Sequence, residues 1–216
     1  PLSVIHRIEK EDMIIKKIIV LVLLIVFVLL AAKTASAADS VVIIGGFGAT
    51  HEQLEFLSEE IPNSVAIVPN KYWPISRAAE DVLAQLETKG IRNKLILIGH
   101  SWGGLIAREI DKEHPGLVQK IVTIGTPYGG FKMTPKFVHS VDDSGSLTPL
   151  YVVAGYNSNQ KKWYMREDKN DGTVDLDSAT DFGRPIEGSA IFAGVGHVDL
   201  IKSKRVANQI KSWIAQ

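Results

Sequence analysis

Short runs of β-branched and aliphatic residues recur between residues 41 and 214, each closed by glycine or proline, with helically spaced stretches between them. Residues 41–44 (VVII) lead into Gly45-Gly46-Phe47-Gly48, 65–68 into Pro69, and 94–98 (KLILI) into Gly99. Residues 120–124 end at Gly125-Thr126-Pro127, 150–154 at Gly155 and 190–193 at Gly194. Apolar runs of this length, without polar alternation, predict strands buried on both faces, as in a parallel sheet. Residues 51–60, 76–89, 105–113 and 198–214 have helix-like spacing, and in the last Leu200, Ile201, Val206, Ile210, Trp213 and Ile214 can share one face. Strand, glycine turn and helix in repetition predict one α/β domain of about six mainly parallel strands with helices on both faces. Ligands of such sheets gather beyond the carboxyl ends of the strands, where these glycine turns fall. The least regular stretch, 128–148, is long enough for a flap and too short for a large cap domain.

The N-terminus follows a different pattern. Residues 18–32 are apolar without interruption. As a helix they would span roughly 22 Å, short of a hydrocarbon core of about 30 Å. Lys16 and Lys17 precede the run, and Ala35-Ser36-Ala37 follows it. Basic flank, apolar stretch and small-residue site predict a secretory signal peptide over 1–37, cut after Ala37, with Met13 as the natural initiator. The expected catalytic domain is then 38–216, secreted or periplasmic, the alternative being an uncleaved membrane anchor.

Composition narrows the chemistry. The chain has 24 basic and 24 acidic side chains and no cysteine. Five of the basic and three of the acidic ones lie in 1–37, which leaves 19 against 21 in the expected mature domain. That balance excludes a polyanion binder. The lack of thiols excludes disulfides, a cysteine nucleophile, zinc ribbons and iron–sulfur sites.

Gly99-His100-Ser101-Trp102-Gly103 is a G-x-S-x-G sequence directly after a predicted strand and before a helical stretch. A turn this sharp crowds the flanking backbone, which is why glycines stand two residues either side of the serine. Its hydroxyl then projects at the carboxyl edge of the sheet, with a helix N-terminus beneath it that favours developing negative charge. A serine nucleophile needs a base, and the base an orienting carboxylate, in the chain order Ser, acid, His. His6 precedes the expected mature chain, His51 precedes the serine, and His100 sits inside the elbow with its side chain directed away from the hydroxyl. His114 falls at a predicted helix end and His139 in the irregular loop. His197, between the last strand and the last helix, is the expected base. Asp171, in the turn Asn170-Asp171-Gly172, is the preferred acid, with Asp168, Asp175, Asp177 and Asp181 as competitors. Calcium-loop spacing fails on these residues, because Glu167 and Lys169 would take ligand positions one and three and Ser178 the twelfth.

The oxyanion hole should combine the backbone N–H of Trp102 with one from the loop after the first strand, preferentially Phe47. As a dinucleotide phosphate loop, Gly45-Gly46-Phe47-Gly48 is incomplete, with Thr50 and His51 where a third glycine should stand.

Taken together, GGFGA, GHSWGG, IGTPYGG, NDGTV and GVGHVDL resemble the lipase and esterase branch of the α/β-hydrolase superfamily, in the minimal form of small secreted bacterial lipases. The resemblance implies Ser101 as nucleophile, Asp171 as acid, His197 as base, and Phe47 and Trp102 as oxyanion donors. The chain departs from many lipases in carrying Gly45-Gly46 where they have His-Gly before the oxyanion residue.

Aromatic side chains in the predicted loops, Trp73, Tyr128 and Phe131 among them, suit an apolar acyl group. The expected activity is hydrolysis of carboxylic esters of lipid or short-to-medium acyl type by a monomer. Neither metal nor organic cofactor is called for, and nucleic acid is not an expected partner. Membrane contact is expected only through the N-terminal segment, if uncleaved, or through a lipid substrate. The same triad would also serve an acyltransferase, an amidase or a thioesterase, and a non-catalytic hydrolase-like accessory is the reading from another class.

Overall fold

The computed structural model describes residues 16–22, 39–70, 74–92, 94–130, 145–157, 169–180 and 183–216. The chain divides into two units, Pro1–Ala38 and Asp39–Gln216. In the first, residues 16–22 are helical with exposed side chains. Among the described residues no helix is long and apolar enough to cross a membrane. The rest of the expected signal segment, with its cleavage site, lies outside the described residues.

The second unit is built on one sheet of six strands. These are β1 (Ser40–Ile44), β2 (Ser64–Ile67), β3 (Leu95–His100), β4 (Val118–Ile124), β5 (Leu150–Tyr156) and β6 (Gly188–Ala193). They lie in the order β2-β1-β3-β4-β5-β6, and every neighbouring pair is parallel. The helices are α1 (His51–Glu60), α2 (Ile75–Thr88), α3 (Trp102–Glu113), the short α4 (Leu176–Thr180) and α5 (Lys204–Ile214).

The pleat of the central strands explains the uninterrupted apolar runs. Leu95 and Leu97 of β3 face a core with Ala78, Val82 and Leu86 of α2 and Leu105, Ile106 and Ile110 of α3. Ile96 and Ile98 face the opposite core, with Leu54 and Leu57 of α1 and Val206, Ile210 and Trp213 of α5. Both faces are covered, so neither set of alternate residues can be polar. At the sheet edge β6 alternates half-buried and exposed positions.

Two helices differ from expectation. The predicted 198–214 helix is two pieces, a 3-10 turn over Asp199–Lys202 and α5, separated by Ser203 in extended conformation (φ −92°, ψ 119°). Helix α3 begins three residues before its predicted start, because Gly103 and Gly104, poor helix formers, stand in its first turn. Helix α1 starts as a capping box closes over it: Gln53 N–H donates to Thr50 Oγ1 (3.3 Å) and Thr50 N–H to Gln53 Oε1 (3.1 Å). That cap fixes the end of the glycine loop that follows β1.

Candidate active site

Strand β3 ends at His100 and α3 begins at Trp102, so a single residue turns the chain from strand to helix. Ser101 makes that turn at φ 53°, ψ −121°, a backbone region that non-glycine residues rarely hold. Its N–H donates to Ile124 O at 2.7 Å, which ties the strained turn to the end of β4. A Cβ on Gly99 would meet the backbone of Gly103, and one on Gly103 would meet the Ile44 carbonyl. One on Gly46 would stand 2.9 Å from the Ser101 Cβ. These close approaches draw the loop after β1 and the first turn of α3 around Ser101.

The expected acid and base come from later in the chain. Asp171, 1% exposed, lies in the turn after β5. Its Oδ1 accepts from the N–H groups of Thr173 (2.9 Å) and Val174 (2.7 Å), so the carboxylate is held by its own turn. The other oxygen, Oδ2, lies 2.7 Å from His197 Nδ1. A carboxylate only accepts, so Nδ1 carries a proton, which in the neutral ring leaves Nε2 with a lone pair. The His197 N–H also donates to Asp171 O at 2.7 Å, which makes the contact two-pronged.

Gly125, at φ +54° after β4, lies against this pair. A Cβ there would stand 3.0 Å from Asp171 Oδ2, 3.1 Å from Leu200 Cδ1 and 3.2 Å from His197 Nδ1. The loop that continues from it is pinned by Ser178 of α4, whose carbonyl accepts from Gly129 N–H (3.1 Å) and whose hydroxyl donates to Gly130 O (2.9 Å).

Of the competing acids, Asp175 forms a bridge with Asn170 and Asp177 lies in the first turn of α4. Asp168 and Asp181 lie outside the described residues, as do His6 and His139. His51 and His114 are exposed at helix ends. His100 is buried against His197: its Nε2 is 3.1 Å from His197 O, and the ring centroids are 4.7 Å apart at 42°. Burial, reinforced by the neighbouring His197, holds the His100 imidazole down to about 3, so it is neutral at ordinary pH.

The two expected oxyanion residues sit beside each other. Phe47 lies in a turn closed by Ala49 N–H to Gly46 O (3.1 Å), and Trp102 is the first residue of α3. Their rings meet edge to face at 6.4 Å, with Phe47 74% exposed. Val198, next to His197, is also exposed. Of the three expected substrate-binding aromatics, Trp73 and Phe131 lie outside the described residues, as does most of the expected flap. Of the three, Tyr128 is the one described. Its ring is buried in the core shared with α2 and α3, with the Arg108 guanidinium 4.3 Å over its centroid. Burial pushes its phenol upward and Arg108 opposes that shift, which suits a core aromatic paired with a buried cation better than a substrate wall.

Comparison with known proteins addresses the architecture. The family model described as alpha/beta hydrolase fold matches residues 46–151. The chain has the α/β-hydrolase fold. Solved structures agree along most of its length. The esterase RhEst1 from a Rhodococcus species is 14% identical with a TM-score of 0.60, covering 85% of this chain and 93% of that one. Mature Bacillus licheniformis lipase BlEst2 is 14% identical with a TM-score of 0.60, covering 83% and 92%. The product of the Listeria innocua gene lin2722 is 13% identical with a TM-score of 0.61, covering 82% and 94%. No curated protein matches the sequence. In this hydrolase fold, the contacts of His100, Gly125 and Ser178 are what sequence reasoning left out. The elbow pattern flagged the position of His100 and the G-T-P run that of Gly125, but neither pattern names the partner.

Proposed function

We propose that the chain is an exported serine hydrolase of carboxylic esters, working through an acyl-enzyme. The observation that carries this reading is the 2.7 Å Asp171–His197 hydrogen bond, formed beside an elbow whose serine holds a positive φ. With Nδ1 protonated toward Asp171, His197 Nε2 accepts the Ser101 proton as the hydroxyl oxygen bonds to the ester carbonyl carbon. The carbonyl electron pair moves onto oxygen, toward the Phe47 and Trp102 N–H groups and the N-terminus of α3. Collapse expels the alcohol, which takes the proton from His197 and leaves an acyl-serine. Water, deprotonated by His197, then releases the acid and restores Ser101. The exposed Phe47 and Val198 and the neighbouring Trp102 give this centre an apolar surround, which supports short-to-medium acyl esters as substrates. Export is supported by the basic–apolar–small order of residues 16–37.

The test is labelling with a fluorophosphonate, followed by a chain-length series of p-nitrophenyl esters on residues 38–216. Wild type should label at Ser101 and hydrolyse the shorter esters, and Ser101→Ala should do neither. Wild-type turnover in Ser101→Ala would overturn the proposal. N-terminal sequencing of the exported protein tests the leader, with Ala38 expected first and an intact N-terminus counting against cleavage.

A further inference from the structure

The catalytic cycle proposed above uses one imidazole, yet two lie in contact, and the second comes from the residue next to the nucleophile. His197 O can only accept, so the 3.1 Å contact requires His100 Nε2 to carry the proton. This fixes the tautomer, with Nδ1 unprotonated on the side of Gly46, where a Cβ would lie 3.4 Å from it. The backbone of His197 is therefore held on both sides: its N–H donates to Asp171 O, and its carbonyl accepts from His100 Nε2–H. The two rings are also in contact, tilted at 42° with their centroids 4.7 Å apart. His100 ends β3 and Ser101 follows it directly, so whatever moves the elbow moves the anchor of the His197 loop with it.

We propose that His100 is a positioning residue: through its Nε2–H bond to the His197 carbonyl it holds the base in register with the adjacent nucleophile. The inference rests on the serine-hydrolase reading and deepens it. A donor with a ring suits the place for a further reason. His197 becomes an imidazolium each time it takes the serine proton, and a charged neighbour would oppose that step. His100 is buried and its imidazole is held down to about 3, so it adds no charge beside His197 at ordinary pH. A lysine or arginine could donate the same hydrogen bond, but only by placing a permanent charge against the base.

The test separates the bond from the ring. His100→Gln keeps a donor at the reach of Nε2 and removes the ring, while His100→Phe keeps the ring and removes the donor. Both are assayed with a p-nitrophenyl ester, with turnover expressed per active site titrated by fluorophosphonate, so that misfolded protein is not counted. In His100→Phe, kcat per titrated site should fall about tenfold or more with KM little changed, because sub-ångström misplacement of a base reduces the rate and not substrate affinity. In His100→Gln, most of that kcat should return. A role in packing alone predicts kcat per site at the wild-type value in both variants, with His100→Phe, which keeps the ring, the more stable of the two. That result would overturn the proposal, as would a His100→Gln no faster per site than His100→Phe. If wild type itself fails to label at Ser101, the serine-hydrolase reading falls and this inference with it.

Discussion

Replacing Gly125 with alanine perturbs the proposed acid–base pair without substituting either residue. Two costs follow, and they can be separated. The first is backbone strain: at φ +54° an L-residue costs roughly 1–2 kcal/mol. For a domain of this size, each kcal/mol lowers Tm by about 2–4 °C, so the melting point should drop by roughly 2–8 °C. The second is local. The new methyl would lie 3.0 Å from Asp171 Oδ2 and 3.2 Å from His197 Nδ1, both closer than ordinary van der Waals contact, so one partner must give by a few tenths of an ångström. Asp171 is pinned by Thr173 and Val174, so the His197 ring is the part that shifts. Such a displacement should reduce kcat about tenfold. Gly116 provides the comparison, with φ +86° and nothing within 4 Å of a Cβ, so Gly116→Ala incurs the strain alone. The assay is kcat per fluorophosphonate-titrated site, with Tm by calorimetry. Gly125→Ala should lose both activity and Tm, and Gly116→Ala should lose Tm only. Equal kcat per site in the two variants would refute the reasoning.

Asp171→Asn should lower kcat by about 10³–10⁴ while folding normally, since the oxygen must stay with the two backbone donors and the amide then donates to His197 Nδ1, forcing the proton onto Nε2. A pH–rate profile and circular dichroism check this, and unchanged turnover would move the acid to Asp175. Acid stability should report His100. Its folded-state value lies below the unfolded one, so the unfolded chain binds the extra proton and stability declines as pH falls from about 6.5 toward 3. At pH 5 the loss from this group is on the order of 2 kcal/mol, and denaturant titrations should show a flatter acid limb in His100→Gln. Ser178→Ala removes the hydroxyl bond to Gly130 O and should cost about 1 kcal/mol by chemical denaturation, with Ser101 labelling intact.

The strands were legible because β1, β3, β4 and β5 are buried on both faces over most of their length, so their apolar runs coincide with burial. The elbow was legible for a related reason. Glycines at 99 and 103 are steric necessities once strand and helix meet within one residue, so the spacing carries the geometry. What stayed hidden depends on partners distant in sequence. Tyr128 reads as a loop aromatic until Arg108 is found above it. His100 has no local reason to be histidine, since its partner is 97 residues away. The interruption at Ser203 was equally invisible, because the apolar positions on either side keep helical spacing through it.

The strand order has a consequence for how the protein acquires its chemistry. Strand β1 pairs with β2 and β3, after which β4, β5 and β6 are added outward in chain order, each beside the one before. The serine turn can form as soon as β1, β3 and β4 have met. The carboxylate arrives with the segment after β5, and the imidazole only with the segment after β6, the outermost strand. During synthesis from the N-terminus, a chain that has not yet delivered its last strand holds the serine turn without a base to activate it. On the proposed function, recovery of ester hydrolysis on refolding would mark closure of one sheet edge, and a truncation that removes β6 and the chain after it should leave a partly formed sheet whose serine lacks His197.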